Sequence, residues 1–408
     1  MKTMLKTLMG MALIAGACLS TPVLAQENKD DKKDSGPKSV ADVSPGDKII
    51  YQIDLYGQLG RDVHEVPIRK ALADARQWNP DYLVFRVNMG YSAGGSSLGD
   101  WFAGVQLDRN AFNLMETVRE LQTMFTDGIR DDPEWKTREG KKPELVMWVK
   151  AAMGGAAFFP FTAPTVFFTS DAHHGGIGYL ELALAGRGDF VVQQKMYAIR
   201  LGRAVGLAIK GGHDEHIIKA MARLDYVLSV SYVGGKPVFY EDMTTGEELL
   251  TDDGDPDAGR ADTIDQALRF EGNDVLVIDA AKALKLGFAK AVVDSQEDLA
   301  NELGCARNYV LIKGRGDGPI RAWVKEVTRA EGEMRDTLAK MRRVDMGGQT
   351  LEERNRARAT MIRHLREIIE RWERYGTAIN GQNVRGVPPA NECEVRIEQL
   401  KQEMRLDR

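Results

Sequence analysis

The chain has 408 residues, of which 43% are hydrophobic and 28% charged, a composition that is ordinary for a globular protein with a sizeable core. Its formal net charge of -5 gives no reason to expect a nucleic-acid partner. We find no internal repeat at a fixed period, and no stretch beyond the N-terminal region is apolar for long enough to span a bilayer.

The N-terminal segment Met1–Ala25 has the pattern of a secretory signal peptide. Lys2 and Lys6 precede the apolar run Leu8–Ala17, and Val23-Leu24-Ala25 forms a cleavage site. We therefore expect an exported protein, periplasmic or secreted. Two alternatives stay open: an uncleaved membrane anchor, and a lipoprotein that is lipidated at Cys18 and held at the membrane surface.

Residues 26–47 are polar and charged, which predicts a disordered linker. Strands and helices then alternate, which predicts an α/β layered fold. The predicted strands are Lys48–Leu55, Tyr82–Val87, Leu145–Val149, Thr165–Thr169, a hairpin of Tyr226–Val230 with Val238–Tyr240, Val275–Ile278 and Ala291–Val293. The predicted helices are Val66–Gln77, Ala111–Phe125, Phe190–Lys210, Asp214–Arg223, Asp279–Leu286 and Gln296–Leu303.

From about Pro319 the pattern changes to long amphipathic helices. Two are predicted, joined at Met346-Gly347-Gly348 as an antiparallel hairpin, and the second opens with the capping box Thr350–Glu353. Gly314–Gly318 resembles a phosphate loop only superficially and is interpreted as a hinge before this region. Cys305 and Cys393 either pair in an oxidising compartment or remain two free buried thiols.

Small residues follow two of the predicted strands. Ser92-Ala93-Gly94-Gly95 comes after Tyr82–Val87, and Met153-Gly154-Gly155-Ala156 comes after Leu145–Val149. Such turns let the backbone pack closely and leave amide donors exposed. Further along, Ile177-Gly178 follows another strand, Lys195 opens a helix, and Val277–Ala289 combines a strand, a helix and a closing glycine.

In this order and spacing, the motifs resemble those of the ClpP/crotonase superfamily, in particular the signal peptide peptidase A and NfeD-type serine peptidases. The resemblance covers roughly Lys48 to Gly304 and implies a ClpP/crotonase-like fold of repeated ββα units. The implied organisation is a peptidase-like domain over residues 48–310 and an α-helical C-terminal region over 319–408. It also implies a peptide or protein ligand and assembly into homo-oligomers.

The resemblance implies a Ser/Lys dyad in which a neutral, buried lysine takes the serine proton and backbone amides stabilise the oxyanion. Lys195 falls on the base, Gly94 and Gly95 on the oxyanion loop, and Gly154 on the nucleophile. Glycine has no nucleophilic side chain. The hypotheses are therefore a catalytically degenerate peptide-binding or assembly scaffold, an enzyme with a relocated nucleophile, or a different reaction on the same fold. The available hydroxyls are Ser92, which is the main alternative nucleophile, Ser96, Ser97, Thr162 and Ser170.

The histidines offer a second, weaker chemistry. His173 and His174 are predicted in a loop before Ile177, and His213 and His216 share a helix face at a spacing that zinc sites use. Histidines in such patterns are more often exposed polar residues than metal ligands. We therefore predict no metal and no cofactor.

Overall fold

The computed structural model describes residues 42–89, 123–125, 127–178, 190–263, 266–267, 270–381 and 383–407. The predicted signal peptide, most of the predicted linker and the Ser92–Gly95 loop lie outside these residues. Within them the chain forms a mixed α/β structure, as the sequence predicts, followed by a helical C-terminal region.

The main sheet is mostly parallel. Its strands are β1 (Lys48–Gly57), β2 (Tyr82–Met89), β3 (Glu144–Met153), β4 (Thr165–Gly175), β8 (Val277–Asp279), β9 (Ala291–Val292) and β10 (Tyr309–Ile312). They are ordered β10-β1-β2-β3-β4-β8, and β9 also pairs with β4. Among the described strand pairings of this sheet, only β4–β8 is antiparallel. A separate antiparallel sheet contains β5 (Leu228–Val233), β6 (Lys236–Tyr240) and β7 (Glu248–Thr251), in the order β6-β5-β7.

Helices cover both faces of the main sheet. They are α1 (Glu65–Gln77), the single turn α2 (Asp127–Arg130), α3 (Phe190–Gly211), α4 (Glu215–Ala222), α5 (Ala280–Lys285) and α6 (Gln296–Glu302). Successive residues of β1 alternate between two apolar clusters: Ile49, Tyr51 and Ile53 belong to the larger one, and Ile50 belongs to the one that includes Leu299 of α6. Burial on both faces explains why the parallel strands are nearly continuous hydrophobic runs.

Helix α1 connects two neighbouring parallel strands, β1 and β2. Its buried residues include Ile68, Ala71, Leu72 and Ala75, a spacing that places them on one helix face. This unit is a β-α-β crossover. The α/β class is thus confirmed, whereas the repeated ββα units are not confirmed by the part of the chain that the structure describes.

The C-terminal region contains three helices, α7 (Asp317–Arg342), α8 (Leu351–Tyr375) and α9 (Ala390–Leu406), rather than only the predicted pair. Side-chain pairs between α7 and α8 show that they run antiparallel: Glu333 contacts Arg371, and Thr337 contacts Glu367. The capping box at Thr350 is present as predicted. Helix α9 packs against α8, and the three helices share their own apolar cluster.

The helical region is fastened to the α/β part by buried contacts. Trp323 of α7 donates a hydrogen bond from Nε1 to the carbonyl of Arg61 at 2.7 Å and stacks on His64. Gly316, just before α7, packs so closely on β1 that a Cβ there would stand 2.8 Å from Ile53. The glycine segment that we interpreted as a hinge is therefore tightly packed at this residue.

The two cysteines that the structure describes are both free and buried. Cys305 lies in the cluster beneath α6, and Cys393 lies in the cluster of the C-terminal helices. Of the two alternatives that the sequence left open, the structure supports two separate thiols.

Candidate functional site

The turn after β3 is built from small buried residues. Gly154 follows the last residue of β3 directly and begins a short 3-10 helix, Gly154–Phe158, which is buried throughout. Its φ is +60°, a left-handed conformation that glycine adopts without steric cost. A buried strand, a left-handed residue and a helical turn form the arrangement in which several hydrolases expose a nucleophile. Here that position has no side chain.

Strand β4 continues beside this turn instead of ending near Thr169 as predicted. The β3–β4 register shifts between Val149 and Ala151, after which His173 pairs with Ala151 and His174 with Ala152. The prediction that these histidines lie in a loop is therefore wrong, because a bulge lets the strand extend past the polar residues.

His174 is fully buried and holds the turn in place. Its Nε2 lies 2.8 Å from the carbonyl oxygen of Ala157 and donates to it, which links β4 to the 3-10 helix after Gly154. The other ring nitrogen, Nδ1, is buried without a hydrogen-bond partner. Burial lowers the pKa of His174 to about 3, so the ring is neutral at ordinary pH.

An aromatic cluster surrounds His174. Phe161 and Phe288 lie with ring centroids 5.3 and 4.9 Å from it, and His213 lies 4.6 Å from Phe288. His213 donates from Nε2 to the carbonyl oxygen of Ala163 at 2.7 Å, and burial lowers its pKa. Sequence reasoning missed this buried role, although Val166, Phe168, Ala172 and His174 recur at even positions and so indicate one strand face.

His213 and His216 do not converge. His216 contacts Asp214, the N-terminal cap of α4, at 2.7 Å and stacks on Phe239, whereas His213 points to Ala163. Across the described ranges, no group of three or more histidine, cysteine, aspartate or glutamate side chains is placed to hold a metal ion.

Lys195 lies in the exposed first half of α3. That helix packs against the Phe161 segment at its other end, where a Cβ on Gly211 would overlap the carbonyl oxygen of Phe161. At 1.5 Å per residue, Lys195 is about 24 Å along the helix axis from this contact. The burial on which a dyad lysine depends is not found at Lys195. Its role as a base stays a prediction.

The other predicted site residues are only partly covered by the structure. Gly94, Gly95 and the alternative nucleophile Ser92 lie outside the described residues. Thr162 is buried, and its hydroxyl donates to the carbonyl of Phe159 at 2.7 Å. Ser170 is exposed on β4, and its backbone N–H donates to Asp294 at 2.7 Å.

Two surface cavities in the described part of the chain lie at α1, away from the Gly154 turn. One, of about 300 Å³, lies between α1 and α2 and includes Arg76 and Trp135. The other, of about 240 Å³, lies between α1 and α7 and includes Lys70 and Trp323. Among the described helices, none is both long and apolar enough to cross a membrane.

Comparison with known proteins leaves the family of the chain open. No family model matches the sequence, and no curated protein matches it. A mutant of the 1510-N membrane-bound stomatin-specific protease, in complex with a substrate peptide, is 11% identical, with a TM-score of 0.33, over 66% of this chain and 92% of that one. A second mutant of the same protease is 11% identical, with a TM-score of 0.35, over 66% of this chain and 100% of that one. TM-scores this low carry no argument about the activity of the chain.

Proposed function

We propose that the protein is a peptidase homologue of the ClpP/crotonase type that binds peptide or protein without cleaving it. The observation that carries the proposal is Gly154, buried at φ +60° where β3 passes into a 3-10 helix. A nucleophile at this turn would need a side chain, and glycine supplies none. The backbone of the turn is retained while the reactive group is absent.

The neighbouring polar groups support a structural role for the turn. The hydroxyl of Thr162 and the ring of His174 both donate to main-chain carbonyls of the same segment. A histidine that acts as a general base must have a free ring nitrogen within reach of a nucleophile. Nδ1 of His174 is free, but it is buried, and with a pKa of about 3 the ring is a weak base.

Peptide binding follows from the sequence resemblance rather than from a cavity. In the resemblance, the amides of Gly94 and Gly95 face the carbonyl group of a bound peptide, and they need no side chain to do so. An oxyanion loop without a nucleophile would still bind a peptide carbonyl. Export through Met1–Ala25, to the periplasm or the medium, and homo-oligomer formation belong to the same proposal.

The activity test uses a fluorophosphonate probe and fluorescein-labelled casein. We expect no covalent labelling, no release of casein fragments and a saturable rise in fluorescence anisotropy. Labelling that is abolished by Ser92→Ala would instead establish an active serine hydrolase with a relocated nucleophile. Labelling that also requires Lys195 would identify that lysine as its base. Absence of any anisotropy change would contradict peptide binding.

Two further measurements test the accompanying proposals. N-terminal sequencing of the exported protein should begin at Gln26 if the leader is cleaved, whereas a blocked N-terminus at Cys18 would indicate a lipoprotein. Size-exclusion chromatography with light scattering should give a mass that is a multiple of 45.3 kDa, less the leader. A monomer would remove the oligomer from the proposal.

A further inference from the structure

Helix α3 is apolar on two opposite faces. One face packs against the main core through Ala204, Leu207 and Ala208, which are buried, and through other partly buried residues. The opposite face is exposed, yet Val191, Val192, Ile199 and Ile209 on it are each between 53% and 58% accessible. Large aliphatic side chains that recur on one exposed face mark an interaction surface. The exposed face is therefore expected to have a partner.

The exposed residues form one continuous stripe. At 100° per residue they fall within an arc of about 140° and extend along about 27 Å of helix. Gly202 and Gly206 lie inside it, and a Cβ at either would meet nothing within 4 Å. The stripe consists of Val191, Val192, Lys195, Ala198, Ile199, Gly202, Arg203, Gly206, Ile209 and Lys210.

The charge of the stripe restricts the partner. Lys195 and Arg203 are basic and exposed, and α3 contains no aspartate or glutamate. This contrasts with the acidic balance of the whole chain, whose net charge is -5. Two copies of α3 placed face to face would bring cations against cations in either orientation. The complementary surface is therefore anionic.

We propose that this stripe of α3 docks on the surface of an anionic lipid bilayer. Aliphatic side chains interleaved with lysine and arginine suit the interfacial region, because the basic side chains place their stems among apolar groups and their charges among phosphates. Basic groups spread along about 27 Å of an aliphatic stripe match a continuous layer of lipid phosphates better than the localised carboxylates of a folded acidic protein. The proposal needs neither cleavage nor the Gly154 turn.

The test is flotation of the purified full-length protein with vesicles of phosphatidylcholine, with and without phosphatidylglycerol. We expect stronger binding to the anionic vesicles and its loss on raising the salt concentration. Arg203→Gln should lower the partition coefficient on anionic vesicles about five-fold, because one basic group near such a surface contributes that much. Ile199→Ser should lower it roughly ten-fold through lost apolar burial.

Matched controls change the same chemistry elsewhere. Lys236→Gln on β6 and Val395→Ser on α9 alter exposed residues outside the stripe and should leave binding unchanged. Any binding by the apolar N-terminal segment is common to all variants and cancels in the comparison. Because Ile199 and Arg203 are exposed, their variants should keep the wild-type unfolding temperature, which shows that they fold.

Three outcomes would overturn the proposal. The first is equal partitioning of the wild type on neutral and anionic vesicles. The second is unchanged binding of the Arg203→Gln and Ile199→Ser variants. The third is self-association that depends on Ile199 without vesicle binding, which would show that another copy of the chain covers the stripe.

Discussion

We expect substitution of Glu331 to weaken the packing of the helical region on the α/β part. It lies on α7, is only 2% exposed, and receives hydrogen bonds from two directions. Arg61 of the α/β part approaches its carboxylate oxygens at 3.1 and 3.4 Å. Asn380 donates its backbone N–H at 2.9 Å, and Asn383 donates its side-chain amide at 2.8 Å.

Glu331→Ala would leave these donors buried without an acceptor. Breaking a buried ion pair from one side costs about 3–5 kcal/mol. Arg61 keeps a second carboxylate partner, Asp62, at 2.5 Å, so we expect the lower end, about 3 kcal/mol. Glu331→Gln keeps an acceptor but loses the charge, and we expect an intermediate cost.

The measurement is urea unfolding followed by tryptophan fluorescence, since Trp323 and Trp372 both lie in the helical region. The matched control is Glu333→Ala on the same helix, which removes an exposed pair with Arg371 and should cost less than about 1 kcal/mol. If Glu331→Ala costs no more than Glu333→Ala, the buried carboxylate does not fasten the two parts together.

Three further predictions concern protons and thiols. Burial, with the nearby Asp54, raises the pKa of Asp317 from 3.8 to about 6. The free energy of unfolding should therefore fall as pH rises between these two values. The Asp317→Asn variant should show a smaller fall in its unfolding midpoint over the same pH range. Burial lowers the pKa of His174 from 6.5 to about 3, so stability is lost as pH falls below 6.5, and His174→Phe should remove that dependence. Cys305 and Cys393 should react with a thiol reagent only after denaturation, giving two thiols if the leader with Cys18 is removed and three if it is retained unmodified.

Hydrophobic periodicity predicts much of the fold, but it does not predict the short strand β10. The sequence predicts four elements close to their observed positions because their buried residues give a clear hydrophobic pattern: β1, α1, β2 and the first part of β4. Strand β10 escaped prediction because Tyr309–Ile312 has only four residues and pairs with β1, far away in the chain. A contact of that range leaves no local signal.

The sequence predicts the backbone conformation of the candidate site, but it does not predict which of the site's side chains are buried. A glycine pair directly after a buried strand indicates a tight turn, and Gly154 has the left-handed conformation that such a turn requires. The exposure of Lys195 and the burial of His174 depend instead on how a helix and a bulged strand pack on the core. Residue spacing alone does not contain that information.

The exposure of α3 and the lack of a side chain at Gly154 both support the proposal that the protein does not cleave peptides. A dyad enzyme must bury its lysine against the nucleophile, because desolvation keeps the amine neutral. In the proposed function Gly154 stands where the nucleophile would be, so no such burial is required of Lys195, which is exposed on α3. In the proposed membrane-docking stripe, Lys195 contributes through its charge. If the protein binds anionic vesicles but is not labelled by a fluorophosphonate, the proposed membrane docking of α3 does not depend on catalysis.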